Sequence, residues 1–227
     1  MQDFEAFAKD AAYNALSGVI STNGSNDGKQ DAFGSNWKAP GWEQGPNHPA
    51  CGLSRDDAVA FCAWLSELAA SKGQLPKSFM YRLPTDAEWS FAVGLTNETG
   101  SFPEEKDSKV PRVYPWGTTW PPPTTAGNYR GAEDGYTHTA PVGAFPANLH
   151  GLFDMGGNVW EWCADPYHPQ NPGEGTLRGG SFIIGNPDQI LSSRRKWPGR
   201  RISVRNLELG FRCVLAKVSP PETPAGK

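Results

Sequence analysis

Thiols are the most reactive side chains in this sequence, and there are four: Cys51, Cys62, Cys163 and Cys213. Their separations fit neither the short paired spacing of a zinc site nor the density of a disulfide-built scaffold, so they are expected as buried free thiols. His48, His138, His150 and His168 have no mutual spacing suited to zinc or iron. No nucleophile elbow, phosphate loop or acid pair stands out. The strongest local charge is a basic run of Arg194, Arg195, Lys196, Trp197, Arg200, Arg201 and Arg205, with no acidic residue from Gln189 to Leu207. Two readings stay open. In one, arginine forks around a Trp197 anchor recognise an acidic or carboxylate-bearing partner. In the other, the run is a solvated loop in which one or two arginines pair internally. Nucleic acid is the weaker partner, because the run has no second aromatic for stacking and the chain carries a net charge of −3 with a pI near 5.8.

The elements that must position these groups are few. With 26 Gly, 21 Pro and 9 Trp among 227 residues, and a mean hydropathy of −0.55, the core must rest on aromatic rings within a loop-rich body. Phe4, Phe7, Ala8 and Ala11 mark a short amphipathic helix over 3–12. Residues 17–45 read as a long loop pinned by Phe33, Trp37 and Trp42. Ser54 caps a helix over 54–72, with Ala58, Phe61, Cys62, Leu65, Leu68 and Ala69 on its apolar side. Thr85-Asp86-Ala87-Glu88 is a capping box opening a second helix that carries Trp89 and Ala92 inward. Strands are expected at 79–83 and 210–215. Residues 95–180 show no sustained period, and so long an ordered loop calls for an extra stabiliser such as a bound metal. One domain over 1–216 is followed by a disordered tail, 217–227. No stretch has the roughly 18–20 apolar residues of a membrane helix, and the first ten residues are not signal-like.

Five pieces in order carry a resemblance: Tyr81-Arg82-Leu83-Pro84-Thr85-Asp86-Ala87-Glu88-Trp89, Tyr114-Pro115-Trp116-Gly117, Gly157-Asn158-Val159-Trp160-Glu161-Trp162, Arg178-Gly179-Gly180-Ser181-Phe182 and Gly210-Phe211-Arg212-Cys213. Together they resemble the formylglycine-generating-enzyme (sulfatase-modifying factor) family. The resemblance implies an α+β, C-type-lectin-like fold, low in regular structure, with two main helices and short strands. The family's usual opening strands have no counterpart here, so a fragment of a longer protein is expected.

The resemblance also implies structural calcium, an ion that takes loop carboxylates, amides and carbonyls. Asn128 and Asp134 would contribute side chains, with carbonyls of Tyr129 and Tyr136. Asn158 and Glu161 would contribute side chains, with carbonyls of Gly156, Gly157 and Val159. The alternative is that these are turn residues and a buried carboxylate satisfying backbone amides. The family's enzymes use two cysteines after the Arg-Gly-Gly-Ser-aromatic signature. Here Ile184 and Gln189 stand in those positions, so copper and formylglycine formation are not expected. The vacated segment, with Ile184, Gln189, Arg194, Arg195, Trp197, Arg200, Arg201 and Arg205, is then expected to bind a protein or small ligand. Such a module occurs in variable proteins of diversity-generating retroelements and fused to bacterial signalling kinases; a diverged oxidoreductase is the alternative.

Overall fold

The computed structural model describes residues 1–15, 19–20, 35–130, 134–195 and 201–218. Trp197, Arg200, Phe33 and the tail from 219 onward lie outside the described residues.

Helix α1, Gln2–Asp10, buries Phe4 and Phe7. The partner surface is α2, Arg55–Ser71, which starts where the sequence places it: Ser54 accepts the Asp57 amide and Asp57 returns the bond, a capping box. Rings fill the interface. Phe4 stacks on Phe61 at 5.9 Å, Phe7 meets Trp64 at 5.6 Å, and Trp37 and Phe211 close the cluster edge-on. Removing the Phe61 ring would cost about 3–5 kcal/mol.

Among the described residues three small sheets accompany these helices. In one, β1, Val19–Ile20, runs parallel to β5, Arg205–Asn206. In a second, β2, Phe79–Arg82, pairs antiparallel with β7, Val214–Lys217, in the register Phe79↔Lys217. The third has order β4-β3-β6, with β3 at Trp160–Pro166, β4 at Gly175–Arg178 and β6 at Leu209–Gly210. Helix α3, Asp86–Val93, has the expected Thr85–Glu88 capping box and a left-handed Gly94 at its end. A one-turn helix, α4, spans Pro103–Lys106. The α+β, loop-rich architecture agrees with the expectation.

Two elements differ from it. The region read as aperiodic contains β3 and β4, whose first residues are buried on both faces, so no alternation marks them. The closing strand begins at Val214 rather than 210, because Leu209–Gly210 pair with β3 in one sheet and Val214–Lys217 with β2 in another; between them Arg212 binds Glu161 through two 2.7 Å hydrogen bonds.

Candidate functional site

The basic run does not form a free surface among the described residues. Arg195 is 0 % exposed, as is Arg178 at the end of β4. Both reach Asp86 in the first turn of α3: Arg195 donates from Nε at 3.0 Å and from Nη2 at 2.8 Å, and Arg178 adds a short bond through Nη1. Arg195 also grips Glu98, with Nη2 to Oε2 at 2.9 Å, while Arg178 lies over the Trp89 ring at 4.3 Å. Burial alone would raise the Asp86 carboxyl, but Arg178 and Arg195 outweigh it and hold the group below its ordinary range. Glu98 is lowered in the same way by Arg195 against its burial.

The expectation of a partner-binding arginine surface is therefore corrected at three positions. Arg195 is sealed inside, Arg194 binds Asp107 at 2.9 Å, and Arg205 forks onto buried Asp57 with two 2.7 Å bonds. Each guanidinium is occupied by a carboxylate distant in sequence. Arg201 alone of the described arginines in the run is exposed, bridging to Glu174 through its backbone.

Ile184 and Gln189 fall in different settings. Ile184 is 8 % exposed, packed with Tyr129 and Trp160 in the central core, and its carbonyl accepts the Arg130 amide. Gln189 ends an exposed 3-10 turn, Pro187–Gln189. An isoleucine plug and an exposed amide hold no soft metal and offer no sulfur nucleophile.

The two stretches expected to hold calcium are brought together. The Asn128 carbonyl accepts the Asn158 amide at 2.9 Å, and the two side chains meet at 3.4 Å. Gly157 has φ +77°, and a Cβ there would come 2.4 Å from the Asn128 carbonyl oxygen, so only glycine permits this approach. Their fit to an ion is uneven. Asn128 Oδ1 is buried without a hydrogen-bond partner, as suits a cation ligand, and Asp134 nearby accepts the Tyr129 and Tyr136 amides. The Asn158 amide instead pairs with the Ala140 backbone at 3.0 and 3.1 Å. Glu161 is saturated by Arg212 and by Trp89 Nε1 at 2.8 Å, so to ligate an ion it must first give up a guanidinium contact. Among the described residues no group of three or more His, Cys, Asp or Glu is arranged to hold a metal.

Sequence reasoning missed a cavity of about 600 Å³ between the end of α3 and the 142–156 loop. Tyr114 and Trp116, stacked at 4.9 Å, form one wall; Val93, Phe145 and Leu152 are also in its lining, with Asp154 the one carboxylate. Burial and the neighbouring Glu161 push Asp154 up. It holds a left-handed φ of 54°, a conformation that Asp tolerates better than most non-glycine residues. The Tyr114-Pro115-Trp116-Gly117 motif was the available signal. None of the residues expected to bind ligand lines this cavity.

Comparison with known proteins agrees with these motifs. Residues 1–217 match the family described as Sulfatase-modifying factor enzyme 1-like domain. A formylglycine-generating enzyme of Thermomonospora curvata is 35 % identical over 209 residues, covering 80 % of this chain and 61 % of that protein. The mouse inactive C-alpha-formylglycine-generating enzyme 2 is 35 % identical over 186 residues, 77 % of this chain and 51 % of that one. A serine/threonine-protein kinase pkn1 of Chlamydia caviae is 30 % identical over 186 residues, 74 % of this chain but 24 % of its own. The chain thus spans less than two thirds of the length of these relatives. Among solved structures, PvdO from Pseudomonas aeruginosa superposes with a TM-score of 0.64 at 26 % identity, covering 92 % of this chain and 74 % of that one. Treponema denticola variable protein 1 shares the fold alone, with a TM-score of 0.54 at 22 % identity, covering 85 % and 77 %.

Proposed function

From the premise that this chain belongs to the sulfatase-modifying factor enzyme 1-like family, we propose that it is a non-catalytic binding module on the family scaffold. The observation that carries the reading is Ile184, buried in the core at the position where the family's enzymes have their first thiol. An apolar side chain cannot be oxidised and reduced or bind copper. Ligand binding is assigned to the cavity beside Tyr114 and Trp116, whose volume and aromatic wall suit a small molecule or a protruding side chain. Among the described arginines of the basic run, Arg201 is the one left exposed for an acidic partner.

Two settings fit such a module: part of a longer signalling chain, as the kinase relative is, or a variable protein, as the treponemal fold neighbour is named. A near-identical template repeat beside a reverse-transcriptase gene would select the second. Calcium is proposed at Asn128 and Asp134 with the Tyr129 and Tyr136 carbonyls. The buried Asn128 Oδ1 supports it. There the ion would neutralise Asp134 and lock the 127–136 loop. A second ion at Asn158, Glu161 and the Gly156, Gly157 and Val159 carbonyls would require Arg212 to move.

The deciding experiment incubates the protein with copper and a cysteine-containing sulfatase peptide and weighs the peptide. No aldehyde is expected; its formation would overturn the reading.

A further inference from the structure

The buried carboxylates Asp57, Asp86 and Glu161 each face an arginine. Asp154 does not. It is half-buried in the cavity lining, which contains neither Lys nor Arg, and it enters no ion pair among the described residues. The charge on Arg212 is answered by Glu161, through two bonds of 2.7 Å. Arg212 reaches Asp154 through its backbone instead, donating from Nη2 to the Asp154 carbonyl at 3.1 Å. The side chain is also held: Asp154 Oδ2 accepts the Gly143 amide at 2.7 Å. Oδ1 accepts no hydrogen bond from the described residues. A carboxylate fixed in this way, without a counter-charge and beside an aromatic wall, is prepared for a cation that arrives from outside.

We propose, on the reading that this cavity is the ligand site, that it binds a primary ammonium group on an apolar stem, with Asp154 Oδ1 as the acceptor and counter-charge. Other classes fit less well. An anion would meet a carboxylate with no cation in the wall to offset it. A guanidinium fork matches two free oxygens, and the Gly143 amide leaves one. An ammonium is a compact charge with three donors, so one oxygen suffices, and the faces of Tyr114 and Trp116 tolerate the charge that remains. Val93, Phe145 and Leu152 line the route for the stem, and Leu149 stands fully exposed among the lining residues. Burial is the main cause of the raised Asp154 carboxyl, and a bound cation would reverse it. A free amine and a lysine side chain of a partner protein carry the same chemistry.

The probes are phenylbutylammonium and its size-matched alcohol and guanidinium analogues, titrated by calorimetry into the intact chain at neutral pH. The ammonium is expected to bind about 10- to 100-fold more tightly than the alcohol. Asp154→Asn should remove that margin and leave the affinity for the alcohol unchanged. Asparagine can still accept the Gly143 amide and tolerates the left-handed backbone, and retained alcohol binding shows that the cavity itself is intact. Alcohol bound as tightly as ammonium would overturn the ammonium assignment and leave the cavity as a ligand site. No binding by any of the three would overturn both. An ammonium preference that survives in Asp154→Asn, or tighter binding of the guanidinium, would also overturn the assignment. Nα-acetyl-lysine methylamide separates the two sources: tighter binding than phenylbutylammonium assigns the site to a partner's lysine, and weaker binding assigns it to a free amine.

Discussion

The two halves of this molecule are held by opposite means. Where α1 meets α2, rings do the work: Phe4, Phe7, Phe61 and Trp64 exclude water without a charge among them. Where the 95–195 region returns to α3, the interior contains ions, with Arg178 and Arg195 caged by Asp86 and Glu98. Long loops have many backbone groups to satisfy, and a buried guanidinium with five donors can bind several of them together: Arg195 alone also binds the Ser193 and Lys106 carbonyls. The ring cluster suits regular elements with apolar faces, and the ionic hub suits chain that has none.

Breaking the hub should have the largest effect. Arg195→Ala leaves Glu98 buried without its arginine and Asp86 with Arg178 alone of its two, and a loss of about 3–5 kcal/mol is expected in chemical denaturation. Phe61→Ala should lose about 3 kcal/mol, but by creating a cavity, so its cost should not change with pH between 5 and 8. Acid separates the halves further. Asp86 and Glu98 are held below their ordinary pKa, so the stability they contribute is present above the unfolded value near 4 and is lost as pH falls through the folded value. Melting temperature against pH should therefore drop steeply below about pH 4, and Arg195→Ala should flatten that drop whereas Phe61→Ala should not. A calcium chelator should lower the melting temperature by a few degrees if Asn128 Oδ1 faces an ion, and Asn128→Ala should abolish that sensitivity. An exposed ion pair gives the smallest effect. Arg82 and Glu88 meet at 2.7 Å, and Glu88, lowered to about 2 chiefly by that arginine, should cost under about 1 kcal/mol when changed to Gln.

Local signals were legible in the sequence where the physics is local. Ser54 and Thr85 announce their helices because a cap is satisfied within three residues, and the aromatic positions of α1 and α2 follow helical spacing. The basic run left a partner surface and internal pairing both open because its counter-charges are remote: Asp86 lies 109 residues before Arg195, and Glu98 lies 97. No window along the chain contains both partners. Likewise Asn128 and Asn158 were each recognisable as loop residues, but their mutual contact is a property of the folded chain. The cavity was hidden for the same reason, since Tyr114, Phe145 and Asp154 converge from separate turns.

The burial of Arg195 has a consequence for altering this protein. On one side of residues 196–200 the chain is anchored by that guanidinium; on the other, the Ile202 amide binds the Gly173 carbonyl at 3.0 Å and its own carbonyl receives the Arg55 amide at 2.9 Å. Both flanks of that segment are thus clamped by contacts with residues remote in sequence. That is the arrangement a protein engineer seeks at a graft point: flanks fixed by the body of the scaffold rather than by each other.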